Sequence, residues 1–163
     1  MMDAARIRER FKSIRVIPYE ERYRHSMMTV ARHIHATSIY ADMSLDEDKL
    51  VDQLSGSGTK YPDRFFKIAV RGDDVLGGFY GCKLRVFFSG ETIIKDMGWW
   101  VSPSARGGAA AALLLAAFED WGREVGAKRA MIGQSGVENI ERTRQLFEHC
   151  GYALTGFNTA KDL

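Results

Sequence analysis

Hydrophobic positions along the chain change their spacing several times, and each change marks an element. Ser13 to Tyr19, "SIRVIPY", is a short apolar run ended by Pro18 and reads as a first strand. From Glu20 to about Tyr40 the residues Tyr23, Met27, Val30, Ala31 and Ile34 recur at the spacing of one helix face. "SLDE" at Ser44 to Glu47 reads as a capping box, in which hydroxyl and carboxylate accept from free backbone N–H groups. It opens a second helix striped by Leu50, Val51 and Leu54 and closed by the Gly-Ser segment Ser55 to Thr59. "RFFKIAV", "RGDD" and "VLGGFYGCKLRVFF" predict two strands joined by a tight turn, and "SGET" starts another that runs to Val101, the whole forming an antiparallel meander. Ala110, Leu113, Leu114, Ala117, Phe118 and Trp121 outline a long amphipathic helix stopped near Gly126. "AKRAMIGQ" is a fifth strand. Ser135 and Glu138 form a second capping box, whose helix runs through Ile140, Phe147 and Cys150 to a stop at Gly151. "YALTGFNTAKDL" ends the chain as one bent strand or a short pair.

At 163 residues, with 45% hydrophobic and 27% charged positions, the chain fits one globular domain over residues 1–163. Its formal charge of +2 is too small to point to nucleic acid or an anionic membrane as partner. The locally basic "RIRERFKSIR" reads as a solvated face. Cys82 and Cys150 lie far apart within apolar patterns, which argues for reduced, buried thiols rather than a disulfide framework or a zinc site. No metal is expected. The most apolar run, Ala109 to Phe118, is far shorter than the roughly 20 residues of a spanning helix, and the N-terminus lacks a signal peptide's apolar stretch. These features imply a cytoplasmic protein.

The chemistry-bearing stretch is "DMGWWVSPSARGGAAAALLLAAFEDWGREVGAKRAMIGQSG", Asp96 to Gly136. Gly-Gly is a poor way to begin a helix, because glycine forfeits conformational entropy. A strand running through a glycine turn into a helix gathers unpaired backbone N–H groups and the positive end of the helix dipole at one point, which is an anion site. Arg106 adds a charge able to fork onto phosphate, while Gly107, Gly108 and the methyl side chains of Ala109 and Ala111 would let a pyrophosphate touch the backbone. Small residues at a helix start also serve close helix-to-sheet packing, and both readings stand at this level. There is no Gly-Lys-Ser/Thr of a P-loop and no Gly-x-Gly-x-x-Gly after a first strand.

The order of elements and these residues together resemble the GNAT superfamily of N-acetyltransferases over nearly the whole chain. The family's acyl-CoA signature, Arg/Gln-x-x-Gly-x-Gly/Ala, maps onto Arg106-x-x-Ala109-x-Ala111, with alanine where the first glycine is usual. "WWVSPSARGG" is similar to the family's strand ending in Val-x-Pro, and "ERTRQLFEHCGY" to its fourth-helix pattern ending in Leu-Tyr-x-x-x-Gly-Phe/Tyr. His35, Ala36, Ser38 and Tyr40 match a segment of a subgroup of small bacterial and phage members without an assigned substrate.

The resemblance implies an α/β fold with a mixed, mostly antiparallel sheet of six to seven strands, four helices and a cleft where strands four and five splay apart. The pantetheine arm of acetyl-CoA would fill that cleft. Backbone groups near Trp100 and Val101 would hold the arm and donate to the thioester oxygen, an oxyanion hole for acyl transfer. The loop and helix start at Arg106, Gly107, Gly108, Ala109, Ala110 and Ala111 would take the pyrophosphate, and Gln134, Ser135 and Asn139 would meet the arm from the far side. Ser135 also reads as a plain N-cap. Arg142 and Thr143 would face the CoA, although a surface salt bridge accounts equally for Arg142. Many such proteins are dimers, and the C-terminal strand segment could pair across one.

Amine acetylation needs an unprotonated amine and a tolerable thiolate. In "KDMGWW", strand alternation puts Asp96, Gly98 and Trp100 on one face and Met97, Trp99 and Val101 on the other. Asp96 reads as a general base acting through water or as a salt-bridge partner of Lys95. His33 and His35 fall on the first helix, which in this fold borders the acceptor groove; only one is expected to face inward. The pairs Phe65-Phe66, Phe87-Phe88 and Trp99-Trp100 are expected mostly in the core. Phe147 occupies the position of the family's usual tyrosine acid. The expected function is transfer of the acetyl group of acetyl-CoA to a primary amine of a small molecule or protein by direct attack. The alternatives are a non-catalytic acyl-CoA-binding module, for which Phe147 speaks, and an interaction protein that does not need CoA.

Overall fold

Within "RFFKIAV" every face of the strand is apolar, so it can be stable only if covered on both sides. The computed structural model, which describes residues 13–133, 140–156 and 159–161, covers it so. Phe65 and Ala69 enter one core and Phe66, Ile68 and Val70 the other. This strand, β2 (Arg64–Arg71), lies between β1 (Arg15–Pro18) and β3 (Asp74–Arg85), followed by β4 (Thr92–Val101) and β5 (Ala130–Met131) in the order β1-β2-β3-β4-β5. The first four strands pair antiparallel in sequence, and β5 joins β4 in parallel through two residue pairs, Ile94 with Ala130 and Lys95 with Met131.

Among the described residues, four α-helices complete three layers. Helices α1 (Arg24–Thr37) and α2 (Glu47–Ser55) bury Met27, Met28, Val51 and Leu54 on one face of the sheet. On the other, α3 (Ala110–Glu124) inserts Leu113, Leu114 and Phe118, and α4 (Ile140–His149) adds Phe147 at the margin. Phe118 stacks on Phe79 of β3 with ring centroids 4.3 Å apart, fixing α3 over the sheet centre.

Several expectations are corrected. The sheet has five strands among the described residues, not six to seven. The fifth strand is two residues long, and residues 152–156 and 159–161 form no strand. Tyr152 is the physical reason: its N–H donates to the Phe147 carbonyl at 2.9 Å and its ring packs on Phe147, so the chain is spent closing α4 and Leu154 is left exposed. The cap of α2 is Asp46, whose carboxylate accepts from the Lys49 N–H at 2.9 Å, rather than Ser44. Aspartate caps as well as serine does, and Glu47 instead pairs with Arg32 of α1 at 2.6 and 2.8 Å, tying the two helices together. The second capping box, at Ser135 and Glu138, lies outside the described residues.

Phe87 and Phe88 are 95% and 78% exposed, not in the core. The ladder of β2 starts at Arg64 opposite Cys82, so β3 and β4 continue alone beyond it, and the two rings pack edge-on against each other at the hairpin tip. Cys82 is buried and Cys150 half-buried, both as free thiols. Among the described residues no helix is long and apolar enough to cross a membrane, and no three His, Cys, Asp or Glu side chains cluster as metal ligands do.

Gly77 of β3 marks the tightest packing of the sheet centre: a methyl group there would meet the Trp100 carbonyl oxygen, and Leu114 at 3.3 Å. Backbone cannot yield as a side chain tip can. Gly77→Ala is therefore expected to destabilise the fold by about 2–3 kcal/mol, the upper range of overpacking, read as a lower denaturation midpoint at unchanged slope.

Candidate active site

Strand β4 carries an irregularity where its chemistry lies. Tyr80 of β3 pairs with Gly98, but the next residue, Gly81, pairs with Asp96, leaving Met97 as an extra residue. This bulge reverses the alternation. Gly81 faces α3, since a methyl there would meet Phe118 at 2.5 Å, and its partner Asp96 lies on that same face. Tyr80 and Trp100 pack into the α1/α2 core, with Trp100 stacked 6.0 Å from Phe66. Asp96 and Trp100 are thus on opposite faces, contrary to simple alternation, because the bulge intervenes.

Beyond the bulge the backbone directions also alternate. Ser102 N–H donates to Leu76 of β3 at 2.8 Å, and the Trp100 carbonyl is turned to Gly77 of β3. Val101 and Trp99 therefore present their N–H and C=O groups to the opposite edge of β4. The ladder to β5 ends at Lys95 and Met131, so that edge carries no β5 partner among the described residues.

After β4, Pro103–Ala105 make one 3₁₀ turn and the chain enters α3 through Arg106, Gly107 and Gly108. Gly107 has φ +82°, a conformation glycine adopts without strain. A methyl group there would stand 3.0 Å from Nη2 of Arg142, so the α4 guanidinium lies directly over this loop. The N-cap of α3, Ala109, has no side chain able to cap, which leaves the first-turn N–H groups for another acceptor. Two arginines and an uncapped helix start meet here. Arg144, two residues from Arg142, pairs instead with Glu141 and Glu148.

A cavity of about 680 Å³ joins these parts. It runs from Arg106, Gly107, Gly108 and Ala111, past Arg142, Thr143 and Leu146, along Asp96 to Val101, to the faces of α1 and α2. Asp96 sits midway. Its carboxylate accepts from the Gly133 N–H at 2.9 Å, just past β5, which holds the acid between the two strand ends. Burial raises its pKa above the usual aspartate value; the Gly133 hydrogen bond and the Lys95 charge pull the other way and do not cancel it. A carboxylate so placed is a better base near neutrality than an exposed one.

Of the sequence candidates, the cavity brings together Asp96, Trp100, Val101, Arg106, Gly107, Gly108, Ala111, Arg142 and Thr143. Ala109 and Ala110 are 5% and 1% exposed, their methyl groups packed in the α3 core, so only their backbone is at hand for a ligand. Phe147 packs on Trp99 at 5.4 Å and on Tyr152, away from the cavity wall. Gln134, Ser135 and Asn139 lie outside the described residues. His35 lines the cavity with Ser38 and Tyr40, whereas His33 is exposed. Sequence reasoning missed Tyr80, which lines the cavity and donates from its hydroxyl to Gln53 Oε1 at 3.1 Å, and the Gly133 N–H. The isolated Gly98, next to Met97 in an otherwise strand-like run, was the available signal of the bulge.

A sequence model described as "Acetyltransferase (GNAT) family" matches residues 10–152. No curated protein sequence matches the chain. Among solved structures, an acetyltransferase from Trypanosoma brucei superimposes with TM-score 0.71 at 16% identity, over 92% of this chain and 99% of its own. A putative acetyl transferase from Pyrococcus furiosus does so with TM-score 0.68 at 20% identity, over 92% and 99%. AAC(6')-Iy in complex with the bisubstrate analogue CoA-S-monomethyl-acetylneamine gives TM-score 0.68 at 15% identity, over 92% and 97%. At these identities the superpositions speak for the fold.

The environment of Asp96 has a consequence for stability. Its pKa is raised in the folded state, so its contribution favours folding below the unfolded value of about 3.9 and is lost as pH rises through the folded value. Asn keeps an acceptor for Gly133 and carries no charge. Asp96→Asn should melt at or above the parent temperature at pH 7–8, its relative advantage shrinking toward pH 3; thermal melts across that range check the sign.

Proposed function

The chain belongs to the acetyltransferase (GNAT) family, and we propose that it transfers the acetyl group of acetyl-CoA to a primary amine, which attacks directly. The observation that carries this reading is the one cavity along which an uncapped helix start, a β4 edge without a β5 partner among the described residues and a half-buried carboxylate of raised pKa follow one another.

Arg106 and Arg142, with the Gly107-Gly108 backbone and the N–H groups that open α3, would hold the pyrophosphate of the cosubstrate. Acetyl-CoA supplies the acyl group as a thioester. The gap where β4 parts from β5 would take the pantetheine arm, and the N–H groups of Val101 and Trp99 would bind the acyl oxygen, in place of the Trp100 backbone, which is turned into the sheet. Asp96 would accept the amine's proton, through water, and Gly133 would hold it in position. An amine of pKa about 10.4 is mostly charged at neutral pH, whereas a thiol near 8.5 leaves tolerably as thiolate. The proton problem is therefore harder on the amine side, which suits a site with a base and with phenylalanine at position 147.

A second reading, an acyl-CoA-binding module without transfer, draws on that same Phe147, whose ring packs on Trp99 and bears no hydroxyl. Thiol release from acetyl-CoA with a panel of amines separates the two: transfer requires release that depends on the amine. Asp96→Asn should then lower turnover by about 10²–10⁴-fold near neutrality and by less at high pH, where free amine is plentiful. A profile parallel to the parent's would remove Asp96 from the role of base. For the cosubstrate site, acetyl-CoA at 100 times its dissociation constant should stabilise the parent by about 2.7 kcal/mol, and Arg106→Glu should abolish most of the resulting melting shift while the unliganded variant stays folded.

A further inference from the structure

The hairpin that joins β3 to β4 ends in two phenylalanines with nothing described over them. Phe87 and Phe88 are exposed, as is Leu84 behind them. The turn that carries the two rings is fixed by its own backbone: the Val86 N–H donates to the Glu91 carbonyl at 2.7 Å and the Gly90 N–H to the Val86 carbonyl at 2.9 Å, with Gly90 at φ +69°. The rings are thus displayed on a built turn. Apolar groups held in this way lose little conformational freedom when a partner covers them.

A groove of about 980 Å³ opens at the foot of the same hairpin. Lys128 and Arg129 line its near end, and the Lys128 N–H donates to the Thr92 carbonyl of β4 at 2.8 Å, which sets that end beside the ribbon. The groove then follows β5 past Met131 and Ile132 to Phe147, Tyr152 and Leu154, and of these Met131 and Leu154 are exposed. Its remaining charged side chains are paired with one another, Arg123 with Glu119 at 3.3 Å and Arg144 with Glu148. Since β5 runs parallel to β4, the groove extends from the foot of the hairpin in the direction opposite to its tip.

We infer that two copies of this chain associate about a two-fold axis, each inserting the Phe87–Phe88 tip of its hairpin into the other's groove beside β5. Two hairpins laid side by side and antiparallel put each tip at the other's foot, where the groove begins, so one operation fills both. Arg129, which has no acidic partner among the described residues, stands where its guanidinium can lie over an incoming ring. The areas agree. Two phenylalanines bury roughly 400 Å² and the receiving groove a like amount, so a protomer that gives one tip and takes another buries roughly 800 Å², the usual share of one partner in a stable complex. A lipid surface or a foreign protein over the tip alone would cover half of that and leave the groove open. The association is separate from the proposed reaction, because neither Phe87, Phe88, Met131 nor Leu154 lines the Asp96 cavity.

Sedimentation velocity at micromolar concentration tests it, and the parent should be a dimer. Phe87→Ser with Phe88→Ser should raise the dimer dissociation constant by about 10⁴-fold, an order of magnitude for each of the four rings that a dimer buries. Met131→Glu with Leu154→Glu should also give a monomer, through the groove. Mixing the two variants should restore association about 100-fold tighter than the tip variant's own, because one intact tip then meets one intact groove; that rescue also shows both variants to be folded. A monomeric parent overturns the inference, whether or not it binds phosphatidylserine vesicles through the same rings. So does a tip variant that stays dimeric, a groove variant that stays dimeric, as it would if the tips met each other, or a pair of monomeric variants that do not associate when mixed.

Discussion

A strand that loses its neighbour part-way along must leave backbone donors and acceptors on its free edge, and such groups cannot stay buried without partners. Among the described residues strand β4 does this after Lys95, where its ladder to β5 stops. The remaining features of the site are arranged around that interruption. Asp96 ties the two strand ends together through Gly133, the bulge at Met97 turns the following residues over, and the loop into α3 begins where β4 ends. Had the β4–β5 ladder continued to Val101, the edge groups would be spent on the sheet and Asp96 would be one more side chain over a strand.

The bulge decides which side of the sheet each residue serves. Without it Asp96 and Trp100 would project together; with it the carboxylate stays on the α3 side while Trp100 joins the α1/α2 core. One inserted residue thus connects the two faces at a single cavity. The cost is a carboxylate in partly desolvated surroundings, held in place by the Gly133 N–H. Such an arrangement is unfavourable for stability taken alone, which is why it weighs toward a chemical role.

The helices and the meander were legible because their signals are periodic and long: the α3 stripe from Ala110 to Trp121 and the two-sided apolar run at Arg64 to Val70 admit few other folds. The turn from β4 into α3 was legible from composition, since Gly-Gly before an alanine run breaks a strand and lets a helix follow, and Gly107 does adopt φ +82° there. What failed depended on contacts remote in sequence. Ser44 and Asp46 are both competent caps, and the choice fell to Asp46, leaving Glu47 to reach Arg32 on another helix. Phe87 and Phe88 read as core because nothing local reveals that β2 begins at Arg64 and leaves the hairpin tip uncovered. The face of Asp96 was misread for a related reason: a bulge shifts register by one, and alternation has no memory of it.

Phenylalanine at position 147 need not count against chemistry at this site. Its ring fills a seam between Trp99 of β4 and Tyr152 beyond α4 and holds α4 against the strand whose backbone faces the cavity. A hydroxyl at the tip of that ring would have to find a partner in a largely apolar seam. Tyr152, which does place a hydroxyl there, has its pKa raised strongly by burial and by the Glu119 charge, so it holds its proton too firmly to serve as an acid near neutrality. Position 147 therefore contributes through packing that keeps Arg142 and Thr143, earlier on the same helix, at the cavity. Under the proposed transfer, a thiol of pKa about 8.5 would leave as thiolate without a donor at position 147, and the harder proton would be the amine's.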